Sequence, residues 1–519
     1  MKWKLILLTS AIALTITVTI TSYFSGCCNK KIIFVEQVKQ NTSQLLLTNV
    51  TVVDTYDGHL RKGMNIFISN GMIVSVSADL PVLGADLSDI EIVDAQEQFA
   101  VPGYLDMHAH VLENADPGPS LALMLANGIT GFRQMSGSYN LLKRRENNKL
   151  PIPLGAPSLL QMPGPLMIPT NAAQPVQAIA ELHKQKAAGA DFIKVGFVNS
   201  EVLFALLEVG KEHNIPIVGH VPASVDMLQA SNLSIHSIEH MGPIPGLLMN
   251  CSTNGQLLRH PGKVLPKLVT SMLPYIPFID QLVSFLGEET IINPMLLSSK
   301  KDIEQLKELM NSYEDRLCRQ TANVLKNNGT WMVPTMIRSK TSRLAFEAPF
   351  NSEPNLRYMP SKTIEKWKKV TADYVERLSE SDKDLLRKNH KLHLHMVKIL
   401  DEQAVNLLTG SDSDGAGWIV PGFGLHQEFD ELGKAGLSPL RILQMTTLNG
   451  AHYLGKTATM GSIAAGKIAD LVLLKGDPTQ DVSNLHKIDS VIKSGHYFSR
   501  ADLDSLLHQV KSNELVNIK

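Results

Sequence analysis

No excess of charge marks this sequence: 49 Lys and Arg stand against 50 Asp and Glu over 519 residues. Without a field of one sign, nothing points to nucleic acid or to an acidic partner. Cysteine is equally scarce, with only Cys27, Cys28, Cys251 and Cys318, so no disulfide scaffold holds the chain together. Internal repeats and low-complexity tracts are absent as well, which leaves no repeat array. What is there is an ordinary globular composition, 44% hydrophobic and 19% charged. The length suits one large domain and a smaller one.

The first residues stand apart from that globule. Lys2 and Lys4 precede an uncharged apolar stretch from Leu5 to Phe24, so residues 1–28 read as a secretory signal or a single membrane anchor. Phe24-Ser25-Gly26-Cys27 resembles a bacterial lipoprotein processing site, although Tyr23 and Phe24 are bulkier than that site usually carries. The expectation is an exported protein: a periplasmic or outer-membrane lipoprotein, or one held by an uncleaved helix. Export would permit a disulfide between Cys251 and Cys318. Sequence alone does not place them within bonding distance, and the pairing stays open.

Residues 45–100 alternate short β-type runs with turns. Leu45–Val53, Met64–Ser69 and Met72–Ser77 have the β-branched content of strands, and Asn70-Gly71 is a hairpin signal. Ala469–Leu474 and Ser490–Lys493 read the same way near the other end. Residues 45–100 and 455–500 are therefore expected to form one small β domain built from both chain ends. Between them, short apolar strands alternate with helical stretches, the rhythm of a βα barrel over 101–454. Eight strands are expected, at Ala100–Leu105, Ile129–Gln134, Leu154–Leu160, Phe192–Phe197, Ile217–Val221, Ser237–His240, Trp331–Pro334 and Asn406–Gly410. Insertions at about 245–330 and 338–400 are longer than ordinary connections, with charged helical runs at Lys300–Lys326 and Thr363–Leu400.

The most informative stretch runs from Pro102 to His110. His108 and His110 are two apart on an extended segment, so both imidazoles project to one side and can meet one cation. Alone that pattern is weak. Lys194 lies inside the apolar run Asp191–Val195, where loss of water would favour its neutral amine. Such an amine can take up carbon dioxide, giving a carbamate able to bridge two metals. His220, His240 and Asp412 each follow a short strand, where barrel active sites are built. Four His, one Lys and one Asp thus fall at the ends of expected strands one, four, five, six and eight. Imidazole and carboxylate suit zinc or similar divalent ions.

Taken in order, Val101–His110, Gly189–Lys194, Val218–Val221, Ser237–His240, Leu407–Asp412 and Gly461–Leu474 resemble the amidohydrolase superfamily. The likeness is to its imidazolonepropionase-like and Xaa-Pro dipeptidase-like members, and it covers roughly residues 45–500. It implies an α/β fold, a deformed (β/α)8 barrel with a small β-sandwich domain built from both ends. It also implies two divalent metal ions, with zinc the first expectation. His108, His110 and Asp412 would bind the more buried ion and His220 and His240 the other. Lys194, as N6-carboxylysine, would bridge them. A hydroxide between the cations would attack, and Asp412 would carry the proton.

Weaker candidates surround this set. His426 and Glu428 resemble a family segment near substrate, and Arg338 could grip a substrate carboxylate. Asp414 reads as a loop-capping residue. His236, where relatives carry a small or acidic residue, and the long insertion around Cys251–Cys318 are departures expected near the barrel mouth. The leading reading is hydrolysis of an amide or peptide bond in a dipeptide or N-acyl amino acid. The alternatives are a cyclic amide, lactone or phosphoester hydrolase on the same metals, and an exported non-catalytic binding protein. The partners expected are a small molecule or short peptide, a membrane through the N-terminal segment, and a second copy of the chain.

Overall fold

The chain enters its fold through a sheet assembled from both of its ends. The computed structural model describes residues 32, 34, 44–81, 90–241, 245–259, 287–347, 350 and 352–516. The expected leader, with Cys27 and Cys28, lies outside these residues, as does part of the first insertion. Among the described residues no helix is long and apolar enough to cross a membrane. β1 (Gln44–Val53) pairs antiparallel with β2 (Leu60–Ser69), which turns into β3 (Met72–Ser77). Asn70 and Gly71 make that turn with φ of 50° and 76°, the two left-handed positions a tight hairpin requires. β4 (Ile90–Asp94) and β5 (Phe99–Pro102) lie parallel to β1.

At Gly103 the chain changes sheets. Its N–H still bonds Asp470 on the far-end segment, whereas the next N–H, of Tyr104, bonds Gly128. A Cβ on Gly103 would fall 2.1 Å from Thr130 Oγ1, so only glycine allows the close approach. Ala100–Leu105, expected as one strand, is therefore split. Its first half is β5, and β6 (Tyr104–Ala109) begins a parallel sheet with β7 (Ile129–Gln134) and β8 (Ser158–Gln161). Leu154–Pro157 fall outside β8, where Gly155 and Pro157 interrupt the run. β9 (Ile193–Val195), β10 (Ile217–Gly219), β11 (Ser237–Glu239), β12 (Trp331–Val333) and β13 (Asn406–Leu407) form a second parallel sheet in chain order. Backbone hydrogen bonds join the two sheets at both margins. On one side Met107 N bonds Thr409 O and His110 N bonds Ser413 O; on the other Met167 N bonds Lys194 O.

β14 (Leu471–Leu474) then returns beside β5, followed by β15 (Ile488–Lys493) and β16 (His496–Phe498), completing an eight-stranded sheet from both ends. Leu47, Ile66, Ile68, Ile73, Leu471 and Ile492 are buried together on it, each worth about 1.5–3 kcal/mol of transfer free energy. Three of the helices between the parallel strands begin on the side-chain caps Ser138, Asn199 and Asp226. The two expected helical runs are each divided. Lys300–Asn311 is followed by Asp315–Asn327, and Ser361–Val375 by Glu380–Glu402, the latter opened by a capping box of Ser379 and Asp382.

Cys251 and Cys318 form a disulfide across 67 residues of sequence, with Cα atoms 4.3 Å apart. Closing a loop of that length removes unfolded-state entropy worth about 4 kcal/mol. Replacing both cysteines with alanine should lower the unfolding free energy by about that amount, read as a reduced urea midpoint. Reductant should shift the wild-type midpoint comparably and leave the variant unmoved.

Candidate metal centre

Three side chains from the margin between the two sheets meet first. His108 and His110 leave β6 on the same side, and Asp412 follows β13, its N–H bonded to the His108 carbonyl at 2.8 Å. Asp412 Oδ1 lies 3.2 Å from His108 Nε2 and 3.1 Å from His110 Nε2. One ligand atom from each residue falls within 4.8 Å of the other two. This crowding depends on glycine: a Cβ on Gly410 would sit 2.5 Å from the His108 Cβ. Asp412 adopts φ 61°, His240 58° and Thr335 43°. Such left-handed, non-glycine residues are strained and collect where a site is held in a fixed shape.

The opposite wall comes from the five-stranded sheet. The His240 ring centre is 4.5 Å from that of His108 and 5.1 Å from that of His220. Lys194, in β9, is 2% exposed and its Nζ has no hydrogen-bond partner. Burial foremost, opposed by the Glu239 charge, brings its amine down to about 8. His220 falls to about 3 through burial and the neighbouring Lys194, with both ring nitrogens unpartnered. His240 is also held well below its usual range by burial and by His108. Burial raises Asp412, but its histidine neighbours, His108 and His240 foremost, and the contacts to His108 and His110 outweigh it and hold the carboxyl well below its usual range. Burial lowers His110, yet its bonds to Asp412 and Glu113 carry it up to about 10.

Beside the expected ligands stand acceptors that single residues in a sequence do not announce. The Nδ1 atoms of three histidines face such groups: Glu239 Oε2 for His108 at 2.7 Å, Glu113 Oε1 for His110 at 3.2 Å, and Thr335 Oγ1 for His240 at 2.6 Å. The Thr335 hydroxyl donates to the Pro334 carbonyl, so its lone pair is free to accept from His240. Each ring is thereby oriented with Nε2 as its remaining nitrogen. Glu239 ends the buried strand β11 next to His240, and Arg133 sits within β7. A charge inside a short buried strand was the available signal for both.

The weaker candidates divide. Arg338 reaches the site: its Nε lies 3.0 Å from Asp412 Oδ2, and its terminal nitrogens donate to the Ile291 and Ile292 carbonyls. His426 does not. On helix Phe423–Lys434, its Nε2 is 2.8 Å from the Asn127 carbonyl oxygen and its ring packs on Tyr104, Phe429 and His486. Tyr104 starts the strand whose other end carries His108, so His426 belongs to the core at the far end, which corrects the substrate-contact expectation. Glu428 accepts from Ile337 N at 2.7 Å and caps the helix Met336–Arg343, which carries Arg338; burial pushes its carboxyl up to about 8. Asp414 bonds Ser120 and Asn114, on the segment that follows His110, so its contacts run across to another loop instead of capping its own. His236 precedes β11 and stacks on Tyr453, a strand's length from His240, so it is not at the mouth.

A divalent cation fits this donor set. His108 Nε2, both nitrogens of His220 and Lys194 Nζ are buried without hydrogen-bond partners. Leaving such atoms unsatisfied costs about 1–3 kcal/mol each, and a cation facing the neutral nitrogens would relieve it. Among solved structures, a bottromycin amidohydrolase superposes with a TM-score of 0.65 at 18% identity, covering 92% of this chain and 93% of that one. A Xaa-Pro dipeptidase with bound methionine superposes at 0.54 with 17% identity, covering 88% and 100%. At these identities the likeness is one of fold. A dihydroorotase from Carboxydothermus hydrogenoformans is 35% identical over 98 residues, 18% of this chain and 21% of that protein. An imidazolonepropionase from Shouchella clausii is 37% identical over 62 residues, 11% of this chain and 14% of that protein. The chain thus spans about a fifth of the length of such curated relatives, or less. The family match is far wider, running over residues 99–497. This chain belongs to the amidohydrolase family of hydrolytic enzymes.

Proposed function

We propose that the protein hydrolyses a carbon–nitrogen bond, in a dipeptide or N-acyl amino acid, at a binuclear metal centre. The observation that carries this reading is the convergence of six buried or half-buried donors, several unpartnered, from five parallel strands and the residues that follow them. His108, His110 and Asp412 would hold one ion and His220 and His240 the other, with Lys194 bridging as N6-carboxylysine. Zinc suits this mixture of imidazole and carboxylate. The eight parallel strands, joined at both margins, support a closed and deformed (β/α)8 barrel. The eight-stranded sheet supports a separate β domain from residues 45–100 and 455–500, which we read as the small β-sandwich of such enzymes.

Bound cations supply Lewis acidity and lower the pKa of water. The chain's own residues do the rest. Asp412 is ionised and aimed inward, so it can accept the proton that water loses as the new C–O bond forms. It returns that proton to the nitrogen as the C–N bond breaks. Arg338 stands beside it and can turn its guanidinium to a substrate carboxylate. Export by residues 1–28, with lipidation at Cys27 or an uncleaved anchor, is part of the same proposal, supported by the buried Cys251–Cys318 bond.

The test is metal analysis of protein lacking residues 1–28, then a screen of dipeptides and N-acyl amino acids. About two ions per chain and cleavage of free-acid substrates are expected. Arg338→Met should raise KM for such substrates about 10- to 100-fold, yet change KM little for C-terminal amides. A metal-loaded protein that opens only lactones or phosphoesters would transfer the assignment to that chemistry.

A further inference from the structure

Beneath His108 lies a fully buried polar network that the hydrolytic steps leave unused. Ser237 and Glu239 share one side of β11, because alternate residues of a strand project the same way. Glu239 Oε1 accepts from Arg133 at 2.8 Å and from Ser237 Oγ at 2.7 Å, while Oε2 faces His108 Nδ1 at 2.7 Å. Arg133 directs its other donors to the Met107 carbonyl at 2.7 Å, to the Tyr453 hydroxyl and to Ser237 Oγ. Its guanidinium also lies 4.8 Å from the Tyr453 ring centre. Arg133, Ser237 and Glu239 are wholly shielded from solvent.

An ion pair at this depth is no better for stability than a packed apolar pair of equal volume, because desolvating both charges offsets their attraction. Stability therefore does not account for it. What an apolar pair could not do is present a charged acceptor to His108 Nδ1. Arg133 neutralises and steers the carboxylate, and its own bond to the Met107 carbonyl fixes it to the backbone one residue before His108. We propose that Glu239, held by Arg133, is a positioning residue for the metal centre. It takes the Nδ1–H of His108, so that the Nε2 lone pair faces Asp412 and the site. This inference rests on the metal-centre reading above.

Zinc affinity separates the two readings. The metal-free full chain, Glu239→Gln, and the double variant Arg133→Met/Glu239→Leu are titrated with zinc against a chromophoric chelator. Thermal unfolding of the same metal-free proteins is followed alongside. Glu239→Gln is expected to bind zinc about 10- to 100-fold more weakly. The double variant leaves no orphaned charge and should unfold no earlier than the wild type, yet show a similar loss of affinity. Glu239→Asp should recover part of that loss. Histidine 15N spectra should show Nδ1 of His108 protonated in the wild type and mixed tautomers in the double variant. Wild-type zinc affinity in the double variant would overturn the positioning role and leave the metal centre standing. A wild-type chain that takes up no zinc would overturn the metal-centre reading, and this inference with it.

Discussion

Lys194→Ala should lose metal and turnover together, with kcat falling by roughly 1,000-fold. The argument begins with placement. Lys194 is in the middle of β9, 2% exposed, with an Nζ that has no partner. A lysine kept only for packing would extend its amine to water along an apolar stem; this one keeps it inside. Burial brings the amine down to about 8, so a sizeable neutral fraction exists near neutral pH. The neutral amine adds to carbon dioxide, forming an N–C bond and releasing one proton, and the resulting carboxylate is the proposed bridge. Alanine removes it. Short carboxylic acids such as formate should restore part of both metal content and rate to the variant. In the metal-free wild type, at fixed dissolved carbon dioxide, reconstitution with zinc should quicken as pH rises towards about 8 and then level off. The sign follows from the amine losing its proton as pH rises through that value. Full metal content and an unchanged rate in Lys194→Ala would remove the bridging role.

Asp412→Asn should lower kcat by roughly 100- to 10,000-fold while the fold survives. The choice of asparagine matters, because residue 412 has φ 61°. Asparagine accepts the left-handed conformation far better than most side chains, so the backbone strain is kept and the charge alone is lost. The carboxylate lies within 3.2 Å of His108 Nε2, His110 Nε2 and Arg338 Nε at once. An amide in its place neither accepts the proton readily nor answers the Arg338 charge. Because Asp412 is held well below the ordinary carboxylate range, the wild-type rate should show no acid limb from this residue near neutrality. Circular dichroism and the unfolding midpoint check the fold, and kcat across pH checks the chemistry. A variant retaining more than about a tenth of the wild-type kcat would exclude Asp412 as the proton carrier.

The proposed ligands stand out in the sequence because each lies in or just after a short, largely apolar strand. His220, His240 and Asp412 follow Ile217–Gly219, Ile238 and Leu407–Leu408, where a chemistry-bearing residue after a hydrophobic run has few structural explanations. What escaped was of three kinds. Glu239 and Arg133 lie within strands, and only a partner 106 residues away shows why such charges are tolerated there. His426 has the composition of a site residue, but a helix spacing does not tell which end of the fold the ring points to. The division of Ala100–Leu105 was hidden because the chain stays apolar through Gly103; the change is one of hydrogen-bond partner, from Asp470 to Gly128. Hydrophobic pattern reports burial, and burial is the same on both sides of that glycine.

The two margins where the sheets meet have one further consequence. His108 and His110 leave the three-stranded sheet, and Lys194, His220 and His240 belong to the five-stranded one. Asp412 is stitched to the first through the His108 carbonyl while following the last strand of the second. The site thus works as a clasp across a seam. An ion held by both sides would fasten the sheets together at the seam marked by the bonds of Met107, His110 and Asp412. Losing the ion would then cost this seam stability equal to the free energy with which the ion binds.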